Sequence, residues 1–136
     1  IKAREGFTII NDAYNANPDS MRASLALLSS LDVEGKRYAV LGDMGELGDI
    51  SIDCHKGIGA YAATLDLDVL ICVGELSRNI ASAARDAGMQ DDKIIEADSV
   101  ADVLDAIEGR LEPEDAVLVK ASNFMGLGRV VEGLTN

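Results

Sequence analysis

Three polar stretches and one histidine carry the side chains that could do chemistry. Asp12, Asn15 and Asn17 lie in one turn, Asp12–Asn17, with Tyr14 between them. Polar groups gathered where a strand hands over to a helix are typical of ligand sites in open α/β sheets. Asp43 and Glu46 sit in the glycine-rich loop Gly42–Gly48, and Lys120 ends the apolar run Ala116–Val119 and opens the loop Lys120–Gly128. An ammonium there suits a carboxylate or a phosphate, and equally a structural ion pair. Asp12, Asn15, Asn17 and Asp43 also fit the plainer roles of turn former and helix cap. His55, one turn beyond Ile52, fits a hydrogen-bonded strut inside its helix as well as it fits a ligand.

The elements that must hold these groups follow from pattern. Ile1–Glu5 alternates apolar and polar residues up to Gly6, which suits an antiparallel edge strand hairpinned to the strand Phe7–Asn11. Asn17 can cap the next helix, with Pro18 in its first position. Met21, Leu25, Leu28 and Leu31 then recur at helical spacing. Strands are predicted at Tyr38–Leu41, Val69–Val73, Lys93–Glu96 and Ala116–Val119. Helices are predicted at Ser51–Leu65, with Ile52, Ile58, Tyr61, Ala62 and Leu65 inward, and at Leu76–Ala87. Two more follow: one capped by Ser99, with Val100, Val103, Leu104, Ile107 and Leu111 inward, and a closing one through Leu127, Val130, Val131 and Leu134. Strands alternating with helices call for a mostly parallel sheet covered on both faces, a three-layer αβα sandwich. Its carboxyl-edge loops hold most of the Asn, Gly and functional polar residues, which marks that edge as the working one.

Composition narrows the chemistry. The 136 residues are one ordinary domain, and 48% hydrophobic content suffices for a core. A formal charge of −12 repels nucleic acid backbones and anionic lipid headgroups. Cys72 reads as a buried core thiol; it and Cys54 lack metal spacing, which fits a reducing cytoplasm. No GxxxxGK[ST] is present, and Gly42, Gly45 and Gly48 form GxxGxxG rather than the dinucleotide GxGxxG. A single histidine makes a protein-only zinc site improbable, and no GxSxG elbow occurs. The chain does not begin with Met, which fits a fragment of something longer.

DAYNANPDSM (Asp12–Met21), LGDMGELG (Leu41–Gly48), His55, DVLICVG (Asp68–Gly74) and VLVKASNFMGLGRVVEGL (Val117–Leu134) occur in this order over essentially the whole chain. Together they resemble the Rossmann-like C-terminal domain of the Mur ligase family. The first two stretches resemble the member that joins D-Ala-D-Ala to UDP-MurNAc-tripeptide in peptidoglycan precursor synthesis. The resemblance implies the last domain of a three-domain ATP-dependent amide ligase that works through an acyl phosphate. ATP and Mg²⁺ would be bound mainly by a central ATPase domain outside this chain, and the domain alone would be inactive. It implies nucleotide-facing roles for Asp12, Tyr14, Asn15 and Asn17. It implies incoming-dipeptide contacts for Asp43, Glu46, Lys120, Ser122, Asn123 and Phe124.

The family's common KGSR is here Lys120-Ala121-Ser122-Asn123, which removes an arginine able to clamp a carboxylate with two bonds. A family arginine expected just upstream is not within the chain. The alternative from another class is a free-standing α/β binding or receiver-like module. Asp12 and Asp43 roughly mimic its strand-end aspartates, but no neighbouring acidic pair accompanies them.

Overall fold

The structure, a computed structural model, describes residues 2–4, 7–12, 16–121 and 126–135. Its strands are β1 (Lys2–Arg4), β2 (Phe7–Asp12), β3 (Arg37–Gly42), β4 (Val69–Val73), β5 (Ile94–Ala97) and β6 (Ala116–Lys120). Its helices are α1 (Pro18–Ser30), α2 (Ser51–Ala63), α3 (Arg78–Asp86), α4 (Val100–Ile107) and α5 (Gly128–Thr135). Short 3-10 turns cover Gly48–Ile50 and Asp91–Lys93.

One sheet runs in the order β1-β2-β6-β3-β4-β5. β2 to β6 are parallel, and β1 pairs antiparallel with β2. The apolar strands send alternate residues into two cores, as the two-residue period requires. Ile10, Ala39, Leu41, Leu70, Cys72 and Leu118 pack under α1, α2 and α3. Ile9, Tyr38, Val40, Ile71, Val117 and Val119 pack under α4 and α5. The chain steps outward from β2 through β3 and β4 to β5, then returns to insert β6 between β2 and β3. Right-handed crossovers in opposite directions place their helices on opposite faces, which separates the two helical layers.

Several sequence expectations change. Ile52 is not inward: it is 51% exposed, and the helix packs instead through His55, Ile58, Gly59 and Ala62. The third helix starts at Arg78 rather than Leu76, since the Leu76 and Ser77 N–H groups turn aside to the Asp43 carboxylate. β2 carries on through Asp12, whose backbone is in register with Lys120. Leu111 lies beyond the end of α4 but still packs on its core.

Candidate functional site at the carboxyl edge

The chain leaves β2 and β3 toward the α1–α2 layer, but leaves β6, which lies between them, toward α5 on the other face. Strand order therefore reverses around the carboxyl end of β6, and in open α/β sheets such a switch point is where ligands bind. Lys120 is the last residue of β6, flanked in register by Asp12 and Leu41, and is only 2% exposed. Beside it, Gly42 lets the chain leaving β6 cross closely over β3. A Cβ there would stand 2.6 Å from the Ala121 Cβ and 2.9 Å from Leu127 Cδ1. The sequence motif that begins at Lys120 is thus packed directly on the motif that begins at Gly42.

The loop after β3 is pinned from two sides. Asp43 is buried, and its Oδ1 accepts the Ser77 N–H and the Ser77 hydroxyl, each at 2.7 Å. A longer contact at 3.4 Å runs from the Leu76 N–H to Oδ2. The carboxylate thereby ties the end of β3 to the turn between β4 and α3. One residue on, the Met44 N–H donates to His55 Nε2 at 3.0 Å, and the Met44 side chain is buried in the core. His55 is fully buried, and its Nδ1 lies 2.6 Å from the Ser51 carbonyl oxygen. Two residues past Met44, Glu46 is exposed in the left-handed region at φ 60°. That conformation costs a non-glycine residue about 1–3 kcal/mol and persists where surrounding structure enforces it.

At the third loop, Asn17 opens α1 with a reciprocal cap. Its Oδ1 accepts the Ser20 N–H at 2.9 Å, and its own N–H donates to Ser20 Oγ at 3.1 Å. Asn17 therefore fills the capping role, with Pro18 in the first turn. Tyr14, Asn15, Ser122, Asn123 and Phe124 lie outside the described residues.

The structure thus gathers Lys120, the Asp43–Glu46 loop and the end of β2 at one switch point. Sequence reading missed Ser77. It occupies the N-cap position of α3, yet its hydroxyl serves Asp43 rather than the helix. The predicted helix Leu76–Ala87 enclosed Ser77, so nothing in the sequence set it apart. Cys72 is buried with its thiol pushed up by desolvation and then by Glu96, so it stays protonated and inert. Among the described residues, no three His, Cys, Asp or Glu side chains cluster to hold a metal, and no helix is long and apolar enough to cross a membrane. A hollow of about 410 Å³ lies at the opposite edge, between residues 31–34 and 114–116. It shares no residue with the switch point, and a concavity does not outweigh strand polarity in locating the site.

The comparisons agree with this architecture. The family model described as Mur ligase, glutamate ligase domain, matches residues 1–123. The UDP-N-acetylmuramoyl-tripeptide–D-alanyl-D-alanine ligase of Bacillus subtilis is 39% identical over 98% of this chain. Its namesake from Mycobacterium tuberculosis H37Rv is 40% identical over 96%. The chain spans about 29% of the length of each. Among solved structures, the MurF ligase of Thermotoga maritima in complex with ADP superposes with a TM-score of 0.80 at 28% identity, covering 98% of this chain and 29% of that one. A MurF structure from Acinetobacter baumannii superposes at 0.84 and 29% identity, with the same coverage of both chains. This chain belongs to the Mur ligase family and carries that family's glutamate ligase domain.

Proposed function

We propose that this chain is the C-terminal domain of a three-domain cytoplasmic ligase that joins D-Ala-D-Ala to UDP-MurNAc-tripeptide at the expense of ATP. Identity of 39% across 98% of the chain to a ligase of that name carries the reading. The free thiols of Cys54 and Cys72 fit a reducing compartment. ATP with Mg²⁺ supplies the phosphoryl group that activates the tripeptide carboxylate as an acyl phosphate. Both would be held mainly by the central domain, outside this chain. Asp12, Tyr14, Asn15 and Asn17 are this chain's contribution to the nucleotide, through the loop that leaves β2.

The incoming dipeptide brings an ammonium at one end and a carboxylate at the other. The ammonium must lose a proton before its nitrogen can attack the acyl carbon. A carboxylate at the exposed tip of the β3 loop, Glu46, is suited to pair with it and to take that proton. Asp43 supports that loop from below, because its oxygens already hold the neighbouring turn. Lys120 is suited to the dipeptide carboxylate or to the departing phosphate, by a charge-assisted bond in a water-poor setting. Ser122, Asn123 and Phe124 complete that end, with Asn123 in place of an arginine clamp. Attack gives a tetrahedral centre, which collapses to the amide and releases inorganic phosphate. Closure of this domain on the central one would exclude water that otherwise hydrolyses the acyl phosphate.

The test uses the full-length protein with ATP, Mg²⁺, UDP-MurNAc-tripeptide and D-Ala-D-Ala. The expected result is the UDP-MurNAc-pentapeptide, formed with stoichiometric phosphate, and no ATP turnover by residues 1–136 alone. Absence of that product, or ATP hydrolysis by this chain alone, overturns the reading.

A further inference from the structure

His55 is a fully buried imidazole that the proposed chemistry leaves unused, yet both its ring nitrogens are engaged. The backbone N–H of Met44 can only donate, so the Nε2 that receives it at 3.0 Å carries no proton. The proton then sits on Nδ1 and is donated to the Ser51 carbonyl at 2.6 Å. One neutral tautomer satisfies both contacts, and the bond at one nitrogen selects the state of the other. Any buried histidine must have both nitrogens satisfied, so the pairing alone marks no role. The bond to Ser51 stays within α2, and the bond from Met44 ties that helix to the loop that leaves β3.

The place of that link matters. Asp43 is fixed to Ser77 from the β4 side, and Met44 is fixed to His55 from the α2 side. The chain then reaches Glu46 at φ 60°, a conformation that a loose loop would abandon. We propose that His55 is a positioning residue for the incoming amine. In its Nδ1–H form it holds the Met44 N–H and so keeps in place the loop that carries Glu46 at the carboxyl edge, where the neighbouring strand β6 ends at Lys120. This rests on the reading above, in which the Gly42–Gly48 loop faces the amine.

Two polar variants of the full-length enzyme divide the two contacts. His55→Gln places an amide oxygen near the Nε2 position and keeps an acceptor for Met44. His55→Asn keeps a donor near Ser51 but is too short to reach Met44. Loss of one buried acceptor should raise KM for D-Ala-D-Ala about tenfold in His55→Asn. His55→Gln should stay within about twofold and KM for ATP should not move in either, while kcat should fall in His55→Asn alone, because Glu46 also takes the amine's proton. Hydrogen exchange by mass spectrometry should quicken over residues 42–48 in His55→Asn only, leaving α1 and α4 as they were.

Glu46→Gln separates the possible failures. If it raises the dipeptide KM while His55→Asn does not, the positioning role is wrong and the loop reading stands. If Glu46→Gln changes nothing, the loop reading fails and takes this inference with it. Equal rises in both KM values, or faster exchange throughout, would show His55 to be a general prop and overturn the proposal. Nitrogen NMR of the wild-type histidine gives an answer that needs no variant: protonated Nδ1 and bare Nε2 are expected. The opposite tautomer, or an imidazolium at neutral pH, overturns it.

Discussion

At the carboxyl edge of the sheet Asp43 accepts the Ser77 N–H and hydroxyl at 2.7 Å; at the amino edge Asp115 accepts the Lys36 N–H at 2.8 Å and the Glu112 N–H at 2.9 Å. Each edge also holds one glutamate in the left-handed region, Glu46 at φ 60° and Glu114 at φ 82°. The same two devices, a buried carboxylate that gathers N–H groups and a strained glutamate beside it, thus appear at both ends of the strands. Neither device is therefore a mark of function. What differs is where the chain goes next. At the carboxyl edge the connections diverge to opposite faces around β6, and a buried Lys120 stands in the gap. At the amino edge the side chains close turns. Asp115 ties residues 36 and 112, and Arg37 Nε and Nη2 donate to the Leu28 and Leu31 carbonyls. Built-in strain and buried charge thus locate well-determined loops, and strand polarity says which of them lies at the candidate site.

Matched substitutions at the two edges test this contrast in the full-length enzyme. The largest effect is expected from Lys120→Met, which should lower kcat/KM for ligation by at least ~100-fold, whereas Lys36→Met, at an exposed lysine of the amino edge, should change it less than about twofold. Comparable losses from both, in steady-state assays, would erase the distinction.

Asp43→Ala and Asp115→Ala should each destabilise by about 2–3 kcal/mol, because each orphans two or more donors. Urea unfolding measures that loss, and only Asp43→Ala should also raise KM for the dipeptide. Smaller still, Glu46→Gly and Glu114→Gly should each gain up to about 1 kcal/mol by relieving left-handed strain. The gain should come with weaker dipeptide binding at Glu46 alone.

The smallest effect belongs to Tyr38, whose phenol is pushed up by burial and then by the nearby Asp115 charge. A raised value in the fold favours the neutral phenol. Its stabilisation is therefore complete below the ordinary phenol value near 10 and is lost as pH rises through the folded value. Tyr38→Phe should match wild type near neutrality, since the hydroxyl reaches only the Arg110 carbonyl at 3.3 Å. It should unfold less readily in alkali, at about pH 11, in thermal melts. A wild-type protein equally stable there would contradict the assignment.

Much of this was legible in the sequence, because the signals were local or periodic. The strand at Val69–Val73 is continuously apolar, as a strand covered on both faces must be, and all five residues are buried. Asn17-Pro18 announced the start of α1 by cap chemistry. The polar bias of the carboxyl-edge loops located the candidate site before any strand order was known. Other features depend on distant partners. Ile52 has the right spacing to be inward, but spacing cannot say which turns of α2 meet the sheet, and Ile52 is exposed. Ser77 and Asp43 stand 34 residues apart, and only the β3–β4 pairing brings them together. His55 was expected as either strut or ligand; its partner, the Met44 N–H, is a backbone group that no motif can name.

The central claim is that the carboxyl edge alone meets the incoming amine, and the most direct test compares its glutamate with the matching one at the other edge. KM for D-Ala-D-Ala should be measured in full-length Glu46→Gln and Glu114→Gln. A rise of about tenfold or more is expected in the first and none in the second, the loss of one charge-assisted contact being of that order. No change at Glu46, or an equal rise at Glu114, would contradict it.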